Sequence, residues 1–453
     1  MPERRSSLTR IARRAPRLAP LALGIALAMG ASAAARAQSL LDLYQAARGY
    51  DANYLSAKAL ADSRQYAVKQ TEALGLPEVG LSASTGRTRT DFPGEVPGRT
   101  TATSDATVQA RQPLFNRPNQ LAIEQARKQL DVARFDLETA EQDLIVRVAT
   151  AYFDVLAAHD TLGTASANKT AISEQLASAK RNFEVGTATI TDTREAQARY
   201  DLAVAQELIA ENDLRTKRIF LDQLVGRANA APHPLLAPAT LPALPSTTVE
   251  EWVQRGDAQH PTVRRAQIAF DTAKLETDKA RATRLPTVDA TGQLSTTHES
   301  NLTTTAFPGN TNRATIALQL NVPLFTGFQI QNRIKETLVL EDKAREDLEA
   351  ARRTVATATR QTFFGVMSGQ AQVKAFEAAE SSSLLALEAT QLGYRVGVRV
   401  NLDVLNAQTQ LFTARRDLAK ARYDVLLNNL KLRQASGQLH PQDVANLNQL
   451  FVR

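Results

Sequence analysis

The sequence predicts a mainly α-helical fold with a β-barrel portion: a long antiparallel coiled-coil helical tunnel plus four transmembrane β-strands, in a chain built by internal two-fold duplication. Three observations carry this expectation. Paired marks recur at a nearly constant offset: Leu76-Pro77 and Leu285-Pro286 are 209 residues apart, Pro113-Leu114-Phe115 and Pro323-Leu324-Phe325 are 210 apart, and Gly186/Gly397 and Gly226/Gly437 are 211 apart. A drift this small over so long a span marks a repeat. Long stretches lack both Gly and Pro: 44 residues between Pro118 and Gly163, 39 between Gly186 and Gly226, 37 after Gly327 and 39 between Gly397 and Gly437. Finally, four short runs alternate apolar and polar residues with period two.

Residues 1–37 read as a secretory signal peptide. A leader rich in Arg precedes an apolar run from Leu18 to Ala35, and Ala35-Arg36-Ala37 supplies an Ala-x-Ala cleavage site. This segment holds seven Arg against Glu3, so its removal takes the formal charge from +7 to about +1. The high isoelectric point therefore belongs to the leader, and nucleic acid is not implied. There are no cysteines, which excludes disulfides, thiolate metal sites and a Cys nucleophile. Beyond the leader no apolar run reaches 18 residues, so a membrane would be crossed by strands.

The first structural repeat is expected over 38–226 as helix, two strands and a long helical hairpin. Ser39 to Gly75 reads as helical, with Gly49 as a breaker. Val79, Leu81, Ala83 and Thr85 then alternate with Gly80, Ser82, Ser84 and Gly86. A polar loop containing Phe92-Pro93-Gly94 leads to a second run with Val108 and Ala110 on one side and Gln109 and Arg111 on the other. Residues 227–248, with five prolines, read as an extended equatorial linker. The second repeat, 249–437, follows the same plan: Trp252 stands where Leu43 stood, Pro261 breaks the first helix, and the strands carry Val288, Ala290, Leu294, Ile316, Leu318 and Leu320 on one face. The tail, 438–453, is the counterpart of the linker, and both are expected at one level as a band.

Four strands of about ten residues are thus expected, each with one apolar and one polar face. They fit a transmembrane barrel, and equally a two-hairpin sheet packed on helices. If the former, four strands cannot close and an open edge is not tolerated in lipid. Eight strands from two chains enclose only side chains, whereas twelve from three leave an opening, so a homotrimer is the simplest conducting solution. Along the helices Ile123, Ala126, Leu130, Ala133, Leu137, Ala140 and Leu144 keep 3-4 spacing. Leu411, Ala414, Leu418, Ala421 and Val425 do likewise. This is coiled-coil spacing with Ala at roughly every other core position; it suits a thin helical wall and, alone, an ordinary coiled coil as well.

The helices turn at Val185-Gly186-Thr187-Ala188-Thr189-Ile190-Thr191-Asp192 and at Val396-Gly397-Val398-Arg399-Val400-Asn401-Leu402-Asp403, with Gly186 and Gly397 as left-handed caps. These segments, with Tyr394-Arg395 before the second and Val404-Leu405-Asn406-Ala407 after it, resemble the TolC family of outer-membrane efflux and secretion channels. The resemblance spans essentially the whole mature chain and points to the TolC branch. It implies a homotrimer with a 12-stranded barrel in the lipid of the cell outer membrane and a long periplasmic tunnel. It further implies docking of a periplasmic adaptor (membrane fusion) protein at the hairpin tips Gly186 and Gly397, and an inner-membrane pump of ABC, RND or MFS type.

By position, the resemblance also implies a periplasmic gate in which Tyr394 and Arg399 of one hairpin bridge to Thr191 and Asp192 of the neighbouring one. Gln175 joins this network, and Asp403 forms a constricting acidic ring. A second acidic layer would fall on Asn406, where this sequence departs from the aspartate common in the closest relatives, so the strength of cation binding at the mouth does not follow from the resemblance. Read from the residues alone, three Asp403 carboxylates around an axis would select among ions. Asp192 and Asp403 equally suit the first turn of a helix.

No chemistry is indicated. The five histidines, His159, His233, His260, His298 and His440, form no metal-ligand spacing, and no nucleophile elbow, phosphate loop or dinucleotide fingerprint occurs. The expectation is of no enzyme, cofactor or metal: a duct for tripartite efflux or type I secretion. A structural coiled-coil protein of the periplasm or surface is the alternative. A periplasmic adaptor would need a lipoyl-like β domain, which is not visible.

Overall fold

A computed structural model describes residues 38–91, 93, 99–236, 244, 247–300 and 309–451. The signal-peptide segment and Phe92, Gly94, Phe307 and Pro308 of the two strand loops lie outside them. The elements come in the duplicated order: α1 (Leu40–Arg48), α2 (Ala52–Glu72), β1 (Glu78–Thr90), β2 (Arg99–Phe115), α3 (Arg117–Glu184) and α4 (Ile190–Val225), then α5 (Val249–Gln259), α6 (Pro261–Ala282), β3 (Thr287–Glu299), β4 (Gly309–Asn321), α7 (Gln329–Arg395), α8 (Asn401–Ala435) and the short α9 (Pro441–Leu447).

The breaks fall where the punctuation put them. Ser39 caps α1 in a reciprocal capping box with Asp42, and Asp51 opens α2 by accepting from the Tyr54 amide at 2.8 Å. Pro261 begins α6 at the first helical position, where its missing N–H is of no consequence. Gly163 does not interrupt α3, which runs 68 residues, about 100 Å at 1.5 Å per residue. Interior glycine costs a helix only about 1 kcal/mol, less than the packing of α3 supplies. The seam residues Ala133, Leu144, Val148, Ala151, Val155 and Ala158 are buried on α3, as are Leu411, Ala414, Leu418, Ala421 and Val425 on α8.

The strands form one antiparallel sheet in the order β1-β2-β3-β4. They are longer than expected, at 13, 17, 13 and 13 residues, and β2 continues through Pro113-Leu114-Phe115 instead of ending before it. Ladder hydrogen bonds extend into polar residues that carry no apolar alternation, such as Thr85–Thr90 against Arg99–Ser104.

The register sorts the side chains. Val79, Ala110, Gly292 and Ile316 lie in one row, and Leu81, Val108, Leu294 and Ala314 in the next. Between them on the other face lie Gly80, Gln109, Gln293 and Thr315. The alternation inferred strand by strand thus becomes one apolar band across four strands, with a polar face behind it.

Halfway along the rod the helices are wrapped. Gln38 bridges to Pro232, Leu235 bridges to Phe451, and the Leu236 amide donates to the Leu450 carbonyl at 3.0 Å. Linker and tail are paired with each other here, and the tail contains α9. Beneath this band sits the largest core. Tyr152 packs edge-on against Phe153 and Phe451, and its hydroxyl accepts from the His233 amide at 3.0 Å and donates to the His233 carbonyl at 3.2 Å. Tyr423, stacked on Phe153, donates to Asp160 at 2.7 Å. Arg147 grips the buried Asp51 carboxylate with two bonds of 2.8 and 3.0 Å.

Candidate functional site

The end of the rod remote from the sheet is made by two turns of one design. Gly186 (φ +76°) and Gly397 (φ +83°) adopt the left-handed conformation in which a side chain is strained. The following amides reach back to close each helix, Thr187 to the Asn182 carbonyl at 2.8 Å and Val398 to the Gly393 carbonyl at 2.9 Å.

The next helix then starts differently in the two repeats. Thr189 caps α4: its hydroxyl accepts from the Asp192 amide at 3.2 Å, while Asp192 Oδ2 accepts from the Thr189 amide and hydroxyl, both at 2.9 Å. At the equivalent place in the second repeat stands Val400, which makes no side-chain cap. Asp403, the counterpart of Asp192, is therefore spared capping duty. Its carboxylate instead lies 3.5 Å from Arg399 Nη1, half-exposed, at the end of the rod.

The sequence-derived site residues gather at this end. Asn182 donates to the Tyr394 hydroxyl at 3.1 Å, and Arg199 donates to Asn406 Oδ1 at 3.0 Å, so both residues tie the first hairpin to the second. Neither Asn182 nor Arg199 was marked by the sequence, since nothing in a helical pattern says which polar residue faces another helix. Thr191 is exposed in the first turn of α4, and Gln175 is half-buried on α3. Within one chain Arg399 pairs with Asp403 rather than Asp192. All of the Asp192 capping bonds fall on Oδ2, which leaves Oδ1 available to a donor from outside. Around the two turns Val185, Ile190, Val396, Val398 and Val400 are exposed, an apolar rim on otherwise polar helices.

The second feature is lateral. At the sheet, β1 and β4 are edges. In the adjoining half of the rod the helices neighbour one another in the order α2, α3, α6, α7, and toward the tips in the order α4, α3, α8, α7. At every level the chain is an open arc with one flank made by β1, α2 and α4 and the other by β4 and α7. Large apolar side chains stand exposed on both flanks, among them Tyr66, Leu202 and Phe220 on the first and Val339, Phe364 and Leu385 on the second. A monomer rarely leaves so much apolar surface uncovered.

Among the described residues no helix is long and apolar enough to cross a membrane, and no cluster of potential metal ligands occurs.

The profile of the family described as "Outer membrane efflux protein" matches residues 43–227 and 252–438, once per repeat. The chain is 32% identical to the outer membrane protein TolC of Vibrio cholerae over 430 residues, covering 94% of this chain and 97% of that protein. It is 29% identical to outer membrane protein TolC of Escherichia coli over 443 residues, 95% and 88% of the two chains. It is also 30% identical to the alkaline protease secretion protein AprF of Pseudomonas aeruginosa over 430 residues, 90% and 86% of the two. In fold it is similar to the outer membrane protein VceC of Vibrio cholerae, with a TM-score of 0.74 at 19% identity, covering 88% of this chain and 96% of that one. It is likewise similar to the MtrE outer membrane channel of Neisseria gonorrhoeae, with a TM-score of 0.71 at 20% identity over 89% and 90% of the two.

Proposed function

Since the chain belongs to the outer membrane efflux protein family, we propose that three copies close into one duct, leading from the periplasm through the outer membrane to the outside. The chain is a TolC-branch channel of the outer membrane, an exit for efflux or secretion cargo. The observation that supports the closed trimer is the open arc, whose two flanks run the whole length of the rod. Joining β4 and α7 of one copy to β1, α2 and α4 of the next satisfies the sheet edges and covers the exposed apolar side chains in one operation. Three copies give twelve strands, enough to leave a water-filled opening. The apolar band then meets lipid, and Gln109, Gln293 and Thr315 line the lumen.

Transport through such a duct is passive, and the energy comes from a partner in the inner membrane, an ABC, RND or MFS pump. The apolar rim of the hairpin tips suits the helical hairpin of a periplasmic adaptor, since it offers Val185, Val396 and Val398 to a groove-seeking helix. Three Asp403 carboxylates make an acidic ring at the tip. In the closed state Arg399 reaches Thr191 and Asp192 of the neighbouring chain and Gln175 joins this latch, while Tyr394 and Asn406, bonded to Asn182 and Arg199, hold the two hairpins of one chain in register. An exposed pair of this kind is worth about 0.2–1 kcal/mol, which suits a latch that a partner must open.

The test is to extract the mature protein in detergent, measure the mass of the protein component, and insert it into a planar bilayer. Three chains per particle with unitary conductance are expected. A soluble monomer without conductance would sink the proposal.

A further inference from the structure

Toward the tips, immediately past the equatorial band, α3, α4 and α8 enclose a groove of about 420 Å³, the size of a small-molecule site. Ala165 and Asn168 of α3, Ile209 and Asp213 of α4, and Phe412 and Arg416 of α8 line it. It opens on the face that carries the linker, because Asp160 on α3 and Ala419 on α8, each about one turn nearer the band, line the hollow beneath Leu235.

One buried polar group here lacks a partner, and an exposed carboxylate stands beside it. Asn168 is only 6% exposed, and its Oδ1 has no hydrogen-bond partner among the described residues. The carboxamide of this groove-lining residue therefore keeps an acceptor that the chain itself does not use. Asp213 carries a negative charge beside Ile209 and Phe412; Lys217, one turn away, acts on it electrostatically but bonds Asp154, and Lys169, Arg215 and Arg416 pair with Glu207, Glu211 and Asp417.

The duplication supplies a control within the chain. An offset of 211 residues carries Asn168 onto Ala379, Ile209 onto Lys420 and Asp213 onto Asp424. Lys420 bonds Asp424 at 2.7 Å, so the second repeat neutralises its own aspartate and has no amide. The combination is particular to the first repeat and is not a by-product of the fold.

We propose that this groove binds an organic ammonium ion with one aromatic or aliphatic body: its N–H groups donate to Asp213 and to the Asn168 carboxamide, and its apolar part packs on Ile209 and Phe412. The site lies on the wall of the rod and not on its axis, and it does not depend on conduction.

The test uses the full-length mature protein in lipid nanodiscs and tryptamine as probe, with the neutral indole-3-ethanol as its match in shape, followed by calorimetric titration. One tryptamine per chain is expected, bound at least tenfold more tightly than indole-3-ethanol. Asp213→Asn, on an exposed residue that folding does not depend on, should lose at least tenfold in affinity, and Asn168→Ala should do the same, both with unchanged bilayer conductance. Tryptamine binding that is non-saturable, matched by indole-3-ethanol, or unaltered in Asp213→Asn would overturn the proposal.

Discussion

The glycine that closes each repeat offers a graded test of how the duplicated halves are built. Gly437 has φ +68°, and a Cβ placed on it would lie 2.5 Å from the Cα and 2.8 Å from the N of His260. That backbone cannot yield, because His260 joins α5 to Pro261, the first residue of α6. Gly437→Ala therefore combines a left-handed penalty of about 1–2 kcal/mol with an overlap worth about 1–3 kcal/mol, or roughly 2–5 kcal/mol in all. Gly226, its counterpart, has the same φ, but its Cβ would meet the ring of Tyr50, an exposed side chain that can swing aside. Gly226→Ala is left mainly with the conformational penalty of about 1–2 kcal/mol. Gly186, with φ +76° and nothing within 4 Å, bears that penalty alone. Guanidinium unfolding of the detergent-solubilised protein, followed by helical circular dichroism, should rank the midpoints Gly186→Ala and Gly226→Ala above Gly437→Ala. A Gly437→Ala protein that unfolds with Gly226→Ala or after it would refute the reasoning.

Three further expectations follow from the sheet, the band and the tip. Leu294→Arg places a charge in the apolar row and should cost about 2–4 kcal/mol near the bilayer midplane, seen as reduced assembly into lipid vesicles, whereas its neighbour Gln293→Arg should assemble normally and shift ion selectivity. Arg147→Met removes both bonds to a buried carboxylate and, with the guanidinium itself partly exposed and screened, should destabilise by about 1–3 kcal/mol at neutral pH. The bonds from Arg147 hold the Asp51 carboxyl below its usual range, so their contribution is present above the unfolded carboxylate pKa of about 4 and is lost as pH falls through the depressed folded value; the acid limb of the stability curve should be shallower in Arg147→Met than in the parent. Arg399→Ser should raise the open fraction in single-channel records, and identical traces would count against the latch.

The features that could be read in the sequence were those punctuated by rigid or permissive backbone. Pro261, Gly186 and Gly397 act through local geometry, and the repeat multiplies each such mark by two. Period-two alternation likewise located all four strands but not their ends, because the outer stretches pair through the backbone ladder and polar side chains without apolar alternation, as Thr88 pairs with Thr101 and Thr85 with Ser104. The equatorial knot stayed hidden for another reason. Tyr152, Phe153, Tyr423 and Phe451 belong to a helix, a second helix nearly 270 positions later and the tail, and only the third dimension makes them neighbours. The tip was intermediate: its turns were legible from Gly186 and Gly397, but the pairing of the side chains around them depends on which ones the caps consume.

That dependence can be tested with one atom group. Asp192 and Asp403 occupy the same position of the same motif, yet Asp192 is bound to Thr189 whereas Asp403 faces Arg399. The backbone does not explain it, since Thr189 (φ −87°, ψ 159°) and Val400 (φ −97°, ψ 161°) are nearly superposable. The hydroxyl does. Val400→Thr should restore the capping box, stabilise the start of α8 by about 1 kcal/mol, and draw the Asp403 carboxylate toward the backbone while leaving its charge in place. If the Asp403 ring binds cations through freely oriented carboxylates, block by multivalent cations added on the periplasmic side should weaken in Val400→Thr, although no charge has been changed, and Val400→Ala should behave as the parent. Equal block in all three proteins would mean that the orientation of Asp403 does not matter, and the capping asymmetry between the repeats would lose its functional reading.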